Sequence, residues 1–552
     1  MTRARYDAIV VGGGHNGLVC AAYLARAGRR TLVLERRPLL GGAAVTEEIF
    51  PGFKFSVFSY VVSLLRPEII RDLDLPRHGL QILPLESTVT PLDDGDYLAA
   101  WGDADETRHE LERHSPRDAE AAVLFGRLMH HMAMAVKPIL GMVPPDPTSL
   151  APSDLRAMLR LGRHVRGLGA ERFHALYKLM TMSSADYLDE WYEFDPLKAT
   201  KSASGIIGTF LGPRSPGSAY VLLHHYMGEI DGAFRAWGFQ RGGTGAISEA
   251  IAGAARALGA EIRTDAAVSR VLVKGGQVTG VALANGDEIA APVVVSSLDP
   301  RRTFLELVER RDLPDDVVAA VERYKFRGSS GKVNLALSGL PDFTCLRRAN
   351  DPALTMRAAR GAFSISPSVE YLERAYDDAK YGEFSRRPYM DIVIPSMIDP
   401  GMAPPGKHVM SVFVQYAPYH LNGGWTDERR DAFGDAVVDT IARYAPNIRS
   451  LILARQVLTP ADIERITGLS EGNIFQGELA LHQLFFLRPA PHWARYRTPI
   501  QGYWQCGAGT HPGGGIMGAS GRLAALEIAG ARTRAAPRAG WTSGGSGGGA
   551  AS

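Results

Sequence analysis

One stretch restricts the fold of this 552-residue chain more than any other, YDAIVVGGGHNGLVCAAYLARAGRRTLVLERR at residues 6–37. An apolar run at residues 7–11 leads into Gly12, Gly14 and Gly17, which stand at the spacing G-x-G-x-x-G. Small and apolar residues over 16–27 fit a helix packed closely on a sheet and ended by Gly28. Thr31–Leu34 reads as a second strand, with Glu35 at its tip. Gly12 permits the sharp turn, Gly14 lets a pyrophosphate approach the backbone, and Gly17 lets helix and strand touch. The first amides of the helix then face an anion along the helix dipole, and Glu35 is placed to accept hydrogen bonds from ribose hydroxyls. Strand, helix, second strand and acid agree on a dinucleotide site rather than a plain structural unit.

The rest of the chain sets bounds. At 552 residues it is too long for one core. Its net charge of +2 gives no case for a nucleic-acid partner. Cys20, Cys345 and Cys506 are scattered, with no CxxC and no His/Cys cluster, so no metal site and no disulfide framework is expected. No signal peptide precedes the first strand and no apolar run spans a bilayer, so a cytoplasmic location is expected.

After Glu35, Arg36 leads to Gly41-Gly42-Ala43-Ala44, a loop whose backbone suits contact with a cofactor. Phe53, Phe55, Phe58 and Tyr60 follow; core packing explains most such aromatics, and closeness to a flat ring is the second reading. Residues 119–140 are helical and carry Met129, Met132 and Met134, compatible with an apolar tunnel or with a plain core. Ser153 reads as the N-cap of a basic amphipathic helix. Such a helix more often covers a core, with contact at an anionic membrane surface as the alternative. The pairs His130-His131 and His224-His225 read as core or solvated histidines. From residue 238 βα units return, with a helix at 246–258, a strand at Glu261–Arg263, and a hairpin of 268–273 with 278–283 across Gly275-Gly276. KVNLALSG at 332–339 alternates like a sheet strand, and Asp427–Tyr444 is helical. Near the end, a strand at 503–506, a glycine turn at 507–515 and a helix at 516–529 make a second amide-lined helix start. The expected class is α/β: a split Rossmann-like dinucleotide unit (residues 1–75, 238–326 and 481–534) with an inserted mixed α+β substrate unit (76–237, largely helical, and 327–480) and a disordered tail at 535–552.

GGGHNGLVCAAYLARAGRRTLVLERR, GGAAVTEE, RGGTGAISEAI and GAGTHPGGGIMGA together resemble the phytoene desaturase-like FAD-dependent oxidoreductases, over about residues 5–530. SADYLDEWYEFDPLKA and GPRSPGSAYVLLHHYMGE narrow the resemblance to the subgroup of pyridine nucleotide-disulfide oxidoreductase domain-containing protein 2. The resemblance implies the glutathione-reductase-like flavoprotein type and noncovalent FAD. It implies that Gly12, Gly14 and Gly17, with His15 and Asn16 in the same loop, hold the pyrophosphate, and that Glu35 holds the adenosine ribose with Arg36 on the adenine side. It further implies that Gly42 and Ala43 line the flavin, that Val268 meets adenine through its backbone, and that Gly507, Gly509, Gly515, Ile516 and Met517 face the phosphates, ribityl chain and pyrimidine edge. Many flavoproteins of this class carry Gly-Asp in the closing motif, whereas here Ala508 follows Gly507.

The expected activity is a dehydrogenase or desaturase that takes a hydride from an apolar, isoprenoid or lipid-like substrate and passes electrons to an unidentified acceptor. The alternatives are an amine oxidase producing peroxide, a redox-neutral polyene isomerase, and a non-catalytic scaffold. No acid or base stands out. His511 beside the closing loop and Lys332, because related amine oxidases place a lysine near flavin N5, are the candidates.

Overall fold

The computed structural model describes residues 6–530 apart from 231 and 235, and the tail expected at 535–552 lies outside the described residues. Ala8–Val11 is a fully buried strand, His15–Arg26 a helix, and Thr31–Leu34 a second buried strand parallel to the first. Gly14 precedes the helix with no side-chain cap, so its first amides are left for an outside acceptor. Gly17 is demanded by close approach, since a Cβ there would stand 2.3 Å from the Gly12 carbonyl oxygen.

These strands sit inside a five-stranded sheet ordered Glu261–Arg263, Thr31–Leu34, Ala8–Val11, Val294–Ser296, Tyr503–Gln505, parallel throughout. Thr31–Leu34 and Glu261–Arg263 lie on one side of Ala8–Val11, and Val294–Ser296 and Tyr503–Gln505 on the other, a topological switch that opens a crevice at the carboxyl ends of the strands. Gly12, Glu35 and Ser297 all stand at that edge. On one face the helices Gly245–Ala257 and Ala519–Gly530 both pack against His15–Arg26. On the other lies the antiparallel meander Val268–Lys274, Gln277–Leu283 and Glu288–Ala290.

A second, seven-stranded sheet runs Ile452–Leu458, Ser330–Leu337, His408–Gln415, Tyr389–Val393, Ala362–Ile365, Ser87–Pro91, Tyr97–Trp101. It is antiparallel except where Ala362–Ile365 meets Ser87–Pro91. All eight residues of Ser330–Leu337 are buried, so the alternation read in its sequence does not mark a solvent face. The helices Pro116–Leu140, Gly169–Thr181, Ser184–Asp189, Asp195–Ala203 and Ser218–Tyr226 pack around their own core, which takes in Met129 and Met132.

Three local expectations shift. The basic helix is Pro152–Gly167 and opens on proline after Ala151 with no side-chain cap, so Ser153 is not its N-cap. Only Asp154 of that helix is buried, while Leu155, Met158 and Leu159 are exposed, so its apolar face does not lie on a core. The closing helix starts at Ala519 rather than 516, because Gly515, Ile516 and Gly518 hold φ of 112°, 57° and 70°, outside the helical region. Among the described residues no helix is long and apolar enough to cross a membrane.

Candidate functional site

The two glycine segments meet. A cleft of about 240 Å³ at the carboxyl edge of the parallel sheet is lined by Gly12, Gly14, His15, Asn16 and Gly17 from the first loop, and by Gly514, Gly515 and Ile516 from the last. Glu35, Arg36, Gly42, Ala43 and Val268 line it too. The turn at Gly41 is tied to the loop by its amide, which donates to the Gly13 carbonyl at 2.9 Å. Glu35, 7% exposed, accepts from the Gly13 amide at 2.7 Å and from the Arg37 amide at 2.9 Å, which fixes the carboxylate at the strand tip. Arg36 donates to the Ile466 carbonyl at 2.7 Å, and its guanidinium pKa is lowered by burial and by Arg302.

Other residues named from sequence stand elsewhere. Gly507 and Gly509 do not line the cleft: they pack on protein, where a Cβ would fall 2.5 Å from Gln476 Oε1 and 2.4 Å from Pro300 Cδ respectively. Ala508 between them does line it, so the missing acid is missing at the cleft wall. Met517 is buried in the helical core, its carbonyl accepting from the Arg66 amide. His511 is buried away from the cleft, its Nε2 3.0 Å from the Ile139 carbonyl oxygen and its ring edge-on to Phe485 at 5.2 Å. Burial pushes its pKa down to about 3, so it is a neutral packing residue and not an acid or base of this site.

Sequence reading missed part of the wall. Phe58 and Tyr60 line the cleft, while Phe53 and Phe55 pack in a core with Phe239, so both readings of that aromatic run hold, each for two residues. Gln476 reaches the cleft and accepts from the Gly509 amide at 3.0 Å. His225 lines the cleft with its ring stacked on Trp237 at 6.0 Å. Neither Gln476 nor His225 stands in a spacing that marks it.

Whether these residues fit a flavin nucleotide can be tested on the structure. Gly14 is the loop glycine with open space within 4 Å of where a Cβ would stand, and Gly42 meets only the Gly14 Cα. His15 Nε2, Asn16 Oδ1 and Lys332 Nζ are buried without a hydrogen-bond partner. Burial lowers the His15 pKa to about 4 and that of Lys332 to about 7. An open backbone cradle, an acid at the tip of the second strand and three polar atoms wanting partners fit a dinucleotide. Lys332 projects from Ser330–Leu337 into the cleft, its Nζ 5.0 Å from the centre of the Tyr60 ring.

A second chamber of about 860 Å³ adjoins the cleft and shares Tyr60, Val61, Ile207 and Trp237 with it. At the junction the Tyr60 hydroxyl donates to Asp391 Oδ2 at 2.8 Å. Burial raises the Asp391 pKa, and burial with the neighbouring acid raises that of Tyr60 well above the usual phenol value. His130 and His131 stand at the chamber wall. Among the described residues no methionine lines it: the methionine-rich helix walls the chamber through residues such as Phe125, Arg127, His130 and His131, while Met129 and Met132 pack in the core.

All three cysteines are free and buried. Cys20 and Cys506 face one another, and burial followed by the Cys20 thiol pushes the Cys506 pKa well up, so it holds no thiolate for exchange. Neither cysteine lines the cleft.

The family model described as flavin containing amine oxidoreductase matches residues 17–529. The chain is 43% identical over 547 residues to "Pyridine nucleotide-disulfide oxidoreductase domain-containing protein 2" of Rattus norvegicus, covering 95% of this chain and 93% of that protein. It is 26% identical to "Phytoene desaturase (lycopene-forming)" of Pseudescherichia vulneris, covering 92% and 96%. Among solved structures, a triple mutant of putrescine oxidase superposes with a TM-score of 0.57 at 15% identity, covering 95% and 98%, a likeness of fold. The chain belongs to the flavin containing amine oxidoreductase family and is a flavin-dependent oxidoreductase whose cofactor is FAD.

Proposed function

We propose that this protein is a dehydrogenase or desaturase that withdraws a hydride from a largely apolar, isoprenoid- or lipid-like substrate. The observation that carries this reading is the chamber: about 860 Å³, joined to the cofactor cleft, and walled by residues such as Leu85, Leu98, Trp101, Phe125 and Ile207. The phytoene desaturase among the relatives supports the substrate class. The parallel sheet with its three-stranded meander supports the finer glutathione-reductase-like assignment. The same arrangement favours one unit for the cofactor, drawn from the segments around the parallel sheet, and one for the substrate, built on the seven-stranded sheet and the helices.

FAD supplies the hydride acceptor. The chain's own residues do the rest. Gly14 and the first amides of His15–Arg26 hold the pyrophosphate, and Glu35 holds the ribose. The turn from Gly514 to Ile516, which lines the cleft, would offer backbone to the cofactor and stabilise negative charge there. Gly507, Gly509, Met517 and His511 take no contact in this reading. The apolar walls hold a C–H bond in place and exclude water. Tyr60 stands where cleft and chamber meet. Lys332, poised near neutral pH, is the cleft's group for holding or passing a proton.

Amine oxidation is the second reading, favoured by Lys332 in the cleft and by the putrescine oxidase fold. Anaerobic flavin reduction, followed by absorbance, separates the two: bleaching by terpenoids or fatty-acyl compounds supports the proposal, and bleaching by amines alone overturns it. We further propose that Pro152–Gly167 and Gly169–Thr181 rest on an anionic membrane surface. Leu155, Leu159, Phe173 and Tyr177 are exposed there beside Arg156, Arg160, Arg163 and Arg166.

A further inference from the structure

Cleft and chamber share four residues, Tyr60, Val61, Ile207 and Trp237, and of these Tyr60 alone ends in a hydroxyl. What lies beneath it is set by strand register. Lys332 pairs with Phe413, Phe413 with Asp391, and Asp391 with Ser364, so these residues form one row across adjacent strands of the seven-stranded sheet, on one face. Lys332 and Phe413 line the cleft, and Asp391 and Ser364 line the chamber. Tyr60 covers the row. Its ring stacks on Phe413 at 5.5 Å and its centre lies 5.0 Å from Lys332 Nζ, while its hydroxyl donates to Asp391 Oδ2 at 2.8 Å. The phenol hydrogen is thus committed to the carboxylate, and the phenol oxygen keeps lone pairs for another donor. A hydrocarbon laid against this spot would strip water from the phenol oxygen and return no hydrogen bond. A hydroxyl on the substrate returns one.

We propose that the substrate is an apolar alcohol, its hydroxyl donating to the Tyr60 oxygen and its carbinol C–H turned to the cofactor cleft, and that Asp391 takes the hydroxyl proton through Tyr60. The proposal rests on the dehydrogenase reading and names the group that is oxidised. The carbinol C–H breaks, and its electron pair leaves with the hydrogen as hydride to FAD. The O–H breaks, and its electron pair becomes the second C–O bond of an aldehyde or ketone. The alcohol proton passes to the Tyr60 oxygen as the Tyr60 proton passes to Asp391 Oδ2, so the phenol ends as it began and the carboxyl ends protonated. Burial raises the Asp391 pKa against the pull of the Tyr389, Tyr60 and Ser364 hydroxyls, which makes its carboxylate a stronger base than one in water. Lys332 stands two strands away, beyond Phe413, and is not on this path.

The test uses the FAD-loaded full chain with three ligands of one skeleton: farnesol, its methyl ether, which cannot donate, and farnesene. Binding is read by calorimetry on protein reduced beforehand with dithionite, so that nothing turns over. Farnesol is expected to bind about fivefold or more tighter than the ether or the hydrocarbon. It is also expected to bleach the oxidised flavin anaerobically while the other two do not. Tyr60→Phe should bring farnesol and its ether within about twofold and slow bleaching about a hundredfold. Asp391→Asn, whose amide oxygen still accepts from Tyr60, should slow bleaching as much with farnesol affinity changed a few-fold at most, a split that lost packing would not produce. Farnesol binding no tighter than its ether, leaving the flavin yellow, or keeping its advantage in Tyr60→Phe overturns the proposal. The first two are read on the unaltered protein and decide even where a variant fails to fold. Farnesene bleaching the flavin in farnesol's place overturns the alcohol alone and leaves the dehydrogenase reading standing, whereas bleaching by amines alone sinks both.

Discussion

The cofactor cleft and the chamber beside it are built in different materials. The nucleotide end of the cleft presents backbone: Gly14 and Gly42 face open space, Gly12, Gly514 and Gly515 are held by close packing on Ser297, Phe475 and Leu64, and the carboxylate of Glu35 marks one end. The chamber is mostly side chain: Phe125, Lys201, Trp237 and Asp391 arrive from separate helices and strands, and their spacing in sequence follows no rule. A backbone site tolerates almost no added atom. A side-chain site tolerates exchange and changes its preference instead.

The largest effect that sharpens this contrast is at Gly14. Its φ of −69° and ψ of 161° suit any residue, and a Cβ there meets no protein atom, so Gly14→Val fills the cradle without straining the fold. Flavin affinity should fall by about a hundredfold or more, read as the flavin-to-protein absorbance ratio, with the melting temperature of the flavin-free protein unchanged. Retained flavin would break the assignment of the cradle. Glu35→Gln comes next. It removes charge from the ribose position and should weaken FAD about tenfold, measured by fluorescence titration.

Lys332→Met tests the boundary between the two regions. The folded protein holds this lysine near 7 against 10.5 for the exposed group, so charging it opposes folding. The penalty is fully present below pH 7, shrinks as pH rises, and vanishes above about 10.5. The variant should therefore melt higher than the parent at pH 6, with the gap closing toward pH 10, and the flavin-reduction rate should lose any inflection near pH 7. A stability gap that grows with pH would contradict the burial of this group. Asp391→Asn should leave FAD affinity untouched and change the substrate affinity a few-fold; equal loss of both would erase the division between cleft and chamber. The smallest effect is at the surface: Leu155→Asp with Leu159→Asp should reduce sedimentation with phosphatidylserine vesicles and leave activity on soluble donors unchanged.

The same contrast explains what was legible. Gly12, Gly14, Gly17 and Glu35 could be read from sequence because a tight turn, a close approach and a strand tip each demand one residue type at a fixed spacing. Glu261–Arg263 and Asp427–Tyr444 fell on the expected bounds because periodicity and turn residues agreed there. The closing loop was legible only as a glycine turn: which of its residues face the cleft depends on Gln476 and Pro300, 176 residues apart, filling the space behind Gly507 and Gly509. His511 looked chemical beside that turn, and the packing of Phe485 and the Ile139 carbonyl makes it structural. Tyr60, Lys201 and Asp391 meet at one chamber only through tertiary contact, which no local pattern records.

The interlock of Gly521 with the first helix has a consequence for biosynthesis. A Cβ at Gly521 would stand 2.1 Å from the Asn16 carbonyl oxygen, so the last described helix closes directly on the first. The edge strand Tyr503–Gln505 and the turn at Gly514 and Gly515 complete the pocket only once they arrive. A ribosome-bound chain that stops short of residue 503 thus exposes an incomplete nucleotide site, so loading waits until residues 503–530 have emerged. Arrested nascent chains of increasing length should remain colourless until that final segment clears the exit tunnel.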